Sequence, residues 1–332
     1  MRNSVVKKIN SSAIGVDIGG TGVKLGLVGP EGNILFRDSF PTHQSGAKKG
    51  LLEAVLRRLR DLMSMASARG LEMVGVGVGA PGAINVERGF VYFFPNIPGW
   101  KDTPLKSILE RRLGVPVAVD NDANAMAYGE FCFGAGKGTK NLIALTLGTG
   151  IGGGLVIDGK LFHGPHFSAA ELGHMILNED GPLCACGNHG CIEAYVGNGY
   201  FVREVRRRLK KFPHSLLSRE LRKGKELTPL LVAQTARRGD ALSKEMWLET
   251  GTHLGNALVG LVNVLNPEKI ILGGGIAQNG DLLFKPVITA LNKKAFPIAA
   301  ASVEVVPAAL GVDAGVIGAA ALAFRGSWER RK

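Results

Sequence analysis

The sequence predicts an α/β protein with two lobes, each containing a mixed sheet flanked by helices. Strand-like apolar runs alternate with helical patterns along most of the chain. A strand that enters a glycine loop and a further strand occurs twice, and sliding one copy by 128 positions aligns six identities in the nine positions 20–28. An internal duplication explains this repeat, and 332 residues suit two lobes of about 150 residues each.

The first half of the chain contains a strand, a glycine loop and a hairpin. Ala13–Asp17 is a short apolar strand, and the glycine-rich segment 19–22 follows it. Residues Val23–Val28 and Ile34–Phe40 alternate between apolar and polar character around a Gly/Pro turn, which predicts a hairpin. The further elements expected here are a helix at 51–68, a strand at 73–79, a helix at 105–113 and a strand at 115–119.

The second half repeats this arrangement before it becomes mostly helical. Leu142–Leu147 is an apolar strand that enters the glycine loop 148–150, and a strand–turn–strand passes through Asp158 and Gly159. Downstream we expect helices at 199–212, 228–237 and 241–265, a strand at 269–272, a glycine run at 273–275 and an alanine-rich helix at 312–325.

Composition excludes several classes of protein. Hydrophobic residues make up 45% and charged residues 20% of the chain, as in soluble globular proteins. No apolar run reaches the ~18 residues that a membrane span requires, so we expect no membrane partner. The segment Met1–Asn10 carries three basic residues without a following apolar core, so a signal peptide is not expected and a cytoplasmic location is favoured.

The net charge of +12 raises the question of nucleic-acid binding. Phe201, Val205, Leu209 and Phe212 recur at helical spacing inside the most basic stretch, which indicates an amphipathic helix with a solvated basic face. We therefore expect no nucleic-acid partner, and the attraction of polyanionic nucleotides accounts for the charge.

A segment with three cysteines and a histidine has the composition of a structural zinc site. These residues are His174, Cys184, Cys186 and Cys191, and Glu171 and Glu193 flank them. Three thiolates and one imidazole saturate a tetrahedral zinc ion and leave no position for water. His189 is an alternative fourth ligand, and a disulfide or a group of buried cysteines is an alternative to the metal, although the spacing favours the metal. Cys132 is interpreted as a core residue.

The two glycine loops are candidates for phosphate binding because their backbone N–H groups can approach phosphate oxygens closely. Asp17 would lie near the phosphates, which implies a magnesium ion between them, and Lys24 adds positive charge. Thr21 and Thr149 occupy equivalent places in the two loops. The candidate phosphate-binding residues are Asp17, Gly19, Gly20, Thr21, Lys24, Gly148, Thr149 and Gly150.

Asp122 is the candidate catalytic base. It stands where the strand ending at Val119 gives way to a helical pattern, so it could simply be the N-cap of that helix. It could instead accept a proton from a substrate hydroxyl that attacks phosphorus. Asn121 supplies a donor and an acceptor beside it.

These motifs together resemble the ROK family of sugar kinases and repressors, and within it the ATP-dependent glucokinases. The resemblance extends from about residue 13 to residue 325, and the zinc segment is its most specific part. It implies a duplicated ribonuclease-H-like fold of the actin-like ATPase and sugar kinase type, in which sugar and ATP meet in a central cleft. The motifs are Asp17-Ile-Gly-Gly-Thr-Gly-Val-Lys24, Asp120-Asn-Asp-Ala-Asn124, Gly148-Thr-Gly150, Glu171-Leu-Gly-His174 and Cys184-Ala-Cys-Gly-Asn-His-Gly-Cys191.

The resemblance also assigns roles to individual residues. Asp122 corresponds to the catalytic base, and His174 would bind zinc with one ring nitrogen and sugar with the other. The glycine run 273–275 corresponds to the adenosine loop. The residues expected to contact sugar are Gly82, Asn121, Asp122, Glu171, His174 and Glu193, and those of the adenosine loop are Gly273, Gly274 and Gly275.

The implied small lobe consists of residues 1–121 and 312–332 and carries the first phosphate loop and part of the sugar pocket. The implied large lobe, residues 122–311, carries the zinc site, the sugar-binding acids and the adenosine loop. Repressors of the family add an N-terminal DNA-binding module, whereas only 16 residues precede Asp17 here.

The expected reaction is ATP-dependent phosphorylation of the primary hydroxyl of an aldohexose, with glucose favoured. The family usually has glycine where this chain has Ala170, which leaves the preferred sugar open. Alternatives are a kinase for N-acetylglucosamine, N-acetylmannosamine or another hexose, and a sugar sensor without catalytic activity. Polyphosphate as donor also stays open, and relatives lead us to expect a homodimer or homotetramer.

Overall fold

The computed structural model describes residues 10–42, 48–94 and 99–329. The chain divides into two compact units. The first comprises the described residues of 1–139, 154–170 and 309–332, and the second comprises 140–153 and 171–308.

The strands and helices are numbered in chain order. The strands are β1 (Ser11–Ile18), β2 (Gly22–Val28), β3 (Ile34–Pro41), β4 (Glu72–Ala80), β5 (Ala83–Asn85), β6 (Phe90–Phe93), β7 (Lys101–Thr103), β8 (Val117–Asn121), β9 (Leu142–Leu147), β10 (Ile151–Ile157), β11 (Lys160–Leu161), β12 (Lys269–Gly273) and β13 (Glu304–Pro307). The helices are α1 (Lys48–Ala68), α2 (Leu105–Leu113), α3 (Asp122–Phe133), α4 (Glu193–Val196), α5 (Asn198–Leu209), α6 (Leu216–Arg222), α7 (Pro229–Arg237), α8 (Ala241–Leu265), α9 (Gly274–Ala277), α10 (Asp281–Lys294), α11 (Pro297–Ser302) and α12 (Ala314–Glu329).

Two five-stranded sheets share one topology. The first has the order β3-β2-β1-β4-β8 and the other the order β11-β10-β9-β12-β13. In the first, an antiparallel meander is followed by two strands parallel to β1, and in the other β12 is parallel to both β9 and β13. This shared order is the arrangement expected from the internal repeat in the sequence.

Glycines allow α12 to lie very close to the first sheet. A Cβ atom on Gly15 would lie 1.9 Å from the backbone oxygen of Val316, and one on Gly77 would lie 1.7 Å from that of Ala319. No side chain fits in such a gap. Glycine in β1 and β4 therefore sets the distance between the sheet and α12.

The predicted elements are present, with small shifts at their ends. The predicted helix 105–113 coincides with α2, and the predicted helix 241–265 coincides with α8. Several short or interrupted elements were not predicted. Helix α10 contains Pro286, and because proline usually breaks a helix, the sequence did not predict one here.

The division of the chain differs in detail from the two lobes implied by the sequence. Helix α3 and residues 154–170 fall within the first unit, although the implied boundary assigned both to the large lobe. Helix α3 belongs to the first unit because it packs closely against α12. A Cβ on Gly129 would lie 2.7 Å from the Cα of Gly318.

Within residues 10–42, 48–94 and 99–329, none of the helices combines the length and the apolar character needed to cross a bilayer.

Replacing Gly77 with alanine should destabilise the first unit. The added methyl group would meet the backbone of α12, so we expect Gly77→Ala to lower the free energy of unfolding by about 3 kcal/mol. Gly260→Ala in α8 is the matched control, because nothing lies within 4 Å of its Cβ position and alanine stabilises a helix by about 0.5–1 kcal/mol relative to glycine. Denaturant midpoints measure both. A Gly77→Ala midpoint equal to that of the wild type would contradict the close approach of α12.

Candidate active site and metal centre

The carboxyl ends of the parallel strands in the first sheet bring the predicted acidic residues onto one edge. Asp17 of β1 is the register partner of Gly79 in β4, and Gly79 is the partner of Asp120 in β8. Asn121 and Asp122 follow directly. Ligands of open α/β sheets bind outside such strand ends, so this edge is the candidate site of the first unit.

Asp17 is a half-buried carboxyl group in an electrostatically unfavourable position. Its pKa is raised to about 6, mainly by burial and secondarily by the negative charge of Asp122, while the positive charge of Lys24 opposes the rise. The Lys24 ammonium group donates a hydrogen bond to the backbone oxygen of Val312 at 3.2 Å. Two carboxylates that repel each other would be stabilised by a divalent cation, and hard oxygen ligands suit magnesium.

Both predicted phosphate loops form tight turns closed by one backbone hydrogen bond. The N–H of Gly19 donates to the oxygen of Gly22 at 2.9 Å, and the N–H of Gly148 donates to that of Gly150 at 3.0 Å. The first turn belongs to the first unit and the second turn to the second unit. The threonine in each turn, Thr21 or Thr149, is exposed, and Gly20 lies beside the first of them.

Asn121, and not Asp122, is the N-cap of α3. Its Oδ1 accepts hydrogen bonds from the N–H groups of Ala123 at 2.9 Å and Asn124 at 3.3 Å. Asp122 is the first helical residue, and its Oδ1 lies 2.8 Å from the same Ala123 nitrogen. The N-cap role considered as an alternative for Asp122 is therefore filled by Asn121.

Asn121 also holds the loop that contains Gly82. Its Nδ2 donates to the backbone oxygen of Gly82 at 3.3 Å. Gly82 has φ +91°, a conformation that side chains other than hydrogen rarely permit. The amide of Asn121 thus links the start of α3 to the β4–β5 turn.

The four predicted zinc ligands lie together in the second unit. One ligand atom from each of His174, Cys184, Cys186 and Cys191 lies within 4.8 Å of all the others. The Sγ atoms of Cys186 and Cys191 are 3.6 Å apart, and the Sγ of Cys184 is 3.8 Å from Nδ1 of His174. A tetrahedral zinc ion with bonds of about 2.3 Å separates two sulfurs by about 3.8 Å, so the donor set fits zinc. A disulfide needs about 2.05 Å between sulfurs, so the cysteines are free.

His189 is directed to a different partner. Its Nδ1 lies 3.0 Å from the backbone oxygen of Gly181, and its side chain is outside the four-residue cluster. Gly190, with φ +72°, allows the chain to turn back, because a Cβ there would lie 1.6 Å from the oxygen of Asn178. Of the two histidines, only His174 joins the cysteines.

Glu193 connects the cysteine cluster with the second glycine loop. Its Oε2 accepts the N–H of Ile151 at 2.9 Å, and its Oε1 lies 3.8 Å from the Sγ of Cys184. Gly150 leaves room for this carboxylate, because a Cβ there would lie 2.6 Å from Oε2. One carboxylate is thus held by the loop on one side and lies beside a cysteine on the other.

Glu171 and His174 lie at the two ends of one short turn. Leu172–His174 is a 3-10 helix preceded by Glu171, and the His174 N–H donates to the Glu171 oxygen at 3.0 Å. Gly173 packs on β10, where a Cβ would lie 2.3 Å from the oxygen of Ile151. With Nδ1 of His174 facing the cysteines, Nε2 is the nitrogen left for a ligand.

The glycine run that begins at the end of β12 lies beside the turn 148–150. Gly273 is the register partner of Thr146 in β9, and a Cβ on Gly274 would lie 2.4 Å from the oxygen of Leu147. Gly275 follows in α9. The backbone of this run therefore begins at the same sheet edge as Gly148.

Tyr200 supports the segment that carries the three cysteines, residues 184–191, and was not predicted as a site residue. Its hydroxyl accepts the N–H of Ala185 at 2.7 Å, between two of the cysteines. Tyr200 also packs against a small buried cluster that includes Cys184 and Cys191. In sequence it belongs to the helical pattern of α5 and gives no separate signal.

Comparison with known proteins identifies the family of this chain. The ROK family model matches residues 13–325. The chain is 38% identical over 309 residues to the glucokinase of Thermotoga maritima, covering 93% of this chain and 96% of that protein. It is 39% identical over 320 residues to the glucokinase of Streptomyces coelicolor, covering 93% and 96%.

A crystal structure of a ROK family glucokinase from Streptomyces griseus, in complex with glucose and AMPPNP, has the same fold. Its TM-score is 0.78 at 36% sequence identity, with 95% of this chain and 100% of that chain covered. The family model spans nearly the whole described chain, and both glucokinases match 93% of it. This protein therefore belongs to the ROK family.

Proposed function

We propose that this protein transfers the γ-phosphoryl group of ATP to the primary hydroxyl of glucose and so forms glucose 6-phosphate and ADP. The observation that carries the proposal is the identity of 38–39% to glucokinases across 93% of the chain. The motifs by which the sequence resembles this family lie at the sheet edges and in the cluster of three cysteines and His174.

Asp122 is assigned the role of general base. The sugar hydroxyl oxygen forms a bond to the γ-phosphorus, the bond from that phosphorus to the bridging oxygen of ADP breaks, and the hydroxyl proton passes to the carboxylate. The N-cap of α3 is supplied by Asn121, so Asp122 is not required as the cap. This separation of roles supports the assignment.

The remaining residues are assigned to binding. Glu171, Glu193 and Nε2 of His174 hold sugar hydroxyls, together with Asn121 and the Gly82 loop. The turns at 19–22 and 148–150 offer backbone N–H groups to the phosphates, and the run 273–275 holds adenosine. Lys24 adds positive charge near the phosphates.

Two metal ions belong to the proposal. Zinc held by His174, Cys184, Cys186 and Cys191 would fix the imidazole and the surrounding chain and would have no open position for chemistry. Magnesium bound with ATP near Asp17 would neutralise phosphate charge.

Removing the carboxylate at position 122 should abolish most turnover. A positioned general base contributes about 10²–10⁴-fold, so we expect Asp122→Asn to lower kcat by at least 100-fold with an unchanged circular dichroism spectrum. Asp281→Asn is the matched control, since Asp281 is also a first helical residue and its side chain is 79% exposed. An Asp122→Asn enzyme that kept more than a tenth of wild-type kcat would remove Asp122 from the role of base.

We expect one tightly bound zinc ion per chain. Cys186 is exposed, so Cys186→Ser should release most of the zinc with little damage to the core and should raise KM for glucose through the loss of His174 orientation. Cys132→Ser, outside the cluster, should retain full zinc content. Elemental analysis by plasma mass spectrometry measures the ion. Wild-type protein free of zinc after purification without chelators would refute the site.

A coupled assay with ATP and a panel of sugars decides the substrate. We expect the largest kcat/KM for glucose, with N-acetylglucosamine, N-acetylmannosamine and mannose at least tenfold lower. A preference for an acetylated sugar would redirect the assignment to another hexose kinase. Sugar binding by calorimetry without turnover on any member of the panel would identify a sensor and overturn the proposed reaction.

A further inference from the structure

The carboxylate of Asp120, two positions before the proposed base, has no role in the reaction described above. Asp120 ends the buried part of β8, and its side chain is only 5% exposed. Its Oδ1 accepts the N–H of Asn121 at 2.7 Å and the Nδ2–H of Asn124 at 3.0 Å. Its Oδ2 lies 2.7 Å from Nε2 of His163.

The two bonds to Oδ1 fix the backbone that carries Asp122. One bond is made directly before this residue, at the Asn121 N–H, and the other two positions after it, at the Asn124 side chain. Asn121 in turn caps α3 through Ala123 and Asn124. A rotation of the Asp120 carboxyl group would therefore disturb both anchors of the first turn of α3.

His163 is the group that sets the rotation of this carboxyl group. Its side chain is 14% exposed, and it comes from the segment after β11, 43 positions from Asp120. A carboxylate accepts hydrogen bonds, so the imidazole donates through Nε2. The backbone oxygen of His163 accepts the N–H of Ala169 at 3.1 Å, which closes the loop that holds the ring in place.

The surroundings give the carboxyl group space to move when the imidazole is removed. Asp120 and His163 both line a cavity of about 610 Å³ within the first unit. A buried carboxylate that loses a donor costs about 1–3 kcal/mol, and turning toward water in the cavity would recover part of this energy. A partial rotation of this kind would lengthen the bonds to Asn121 and Asn124.

We propose that Asp120 and His163 act together as positioning residues that hold Asn121 and Asp122 in the geometry for proton transfer. This inference rests on the proposed function, because Asp122 is the base that they orient. Neither side chain contacts substrate in this role. A misplacement of about 1 Å in a reacting group costs up to about 10²-fold in rate, which sets the size of the effect.

Three single variants test the pair. His163→Leu removes the hydrogen-bond donor, and His163→Gln keeps an N–H donor. Asp120→Asn removes the negative charge beside the imidazole. We expect His163→Leu and Asp120→Asn each to lower kcat about 10–100-fold, with KM for ATP within about threefold of wild type. We expect His163→Gln to retain at least a third of wild-type kcat. His214→Leu, the same change at an exposed histidine, is the control with unchanged kcat.

Hydrogen–deuterium exchange supplies a measurement that is independent of catalysis. The N–H groups of Asn121, Ala123 and Asn124 all donate hydrogen bonds in this turn. We expect faster exchange in the peptide covering residues 120–126 in His163→Leu, with His163→Gln and His214→Leu close to wild type. The double variant of Asp120→Asn and His163→Leu should be no slower in kcat than the slower single variant.

The outcomes separate failure of this inference from failure of the proposed function. Wild-type protein that phosphorylates no hexose would overturn the proposed function, and with it the role of the pair in proton transfer. Active wild-type protein with unchanged kcat and exchange in His163→Leu would overturn the positioning role alone. A kcat loss in His163→Leu that matches the loss of folded protein in a thermal melt, or that His163→Gln does not rescue, would also overturn it.

Discussion

The pairing of parallel strands is the constraint on which the candidate site depends. Backbone hydrogen bonds align Asp17, Gly79 and Asp120 across one edge of the first sheet, so residues distant in sequence become neighbours without any side-chain recognition. The other sheet repeats the arrangement, with Gly273 beside Thr146. The turns predicted to bind phosphate, the capping residue and the acids all follow the carboxyl ends of strands, where the chain leaves the ladder with free backbone groups. A duplicated strand order thus supplies two such edges.

In the second unit, close side-chain contacts connect the cysteine cluster with the turn 148–150. The carboxylate of Glu193 contacts both the cysteine cluster and the turn at Gly150, so a change in the cluster would reach this turn through one side chain. Tyr200 holds the segment 184–191 from α5. Zinc bound by this cluster would act through geometry, because an ion with four protein ligands has no open position for substrate.

Much of the fold was predictable because its signals are local. Apolar periodicity located α2 and α8, and the alternating runs located the β2–β3 hairpin. Elements without a local signal were missed. Helix α10 tolerates Pro286 near its first turns, and the strands β5, β6 and β7 are three or four residues long, too short for alternation to stand out.

The sequence alone determined which functional groups are present. These are thiols and an imidazole with the spacing of zinc ligands, glycine turns after strands, and a carboxylate at a strand–helix junction. Only the tertiary structure decided which groups meet. It selected His174 over His189 for the cluster, gave the cap of α3 to Asn121, and placed His163 against Asp120. The physical reason is distance along the chain. Spacing within one turn or loop encodes local contacts, whereas a contact across 43 positions depends on the path of every element between its partners.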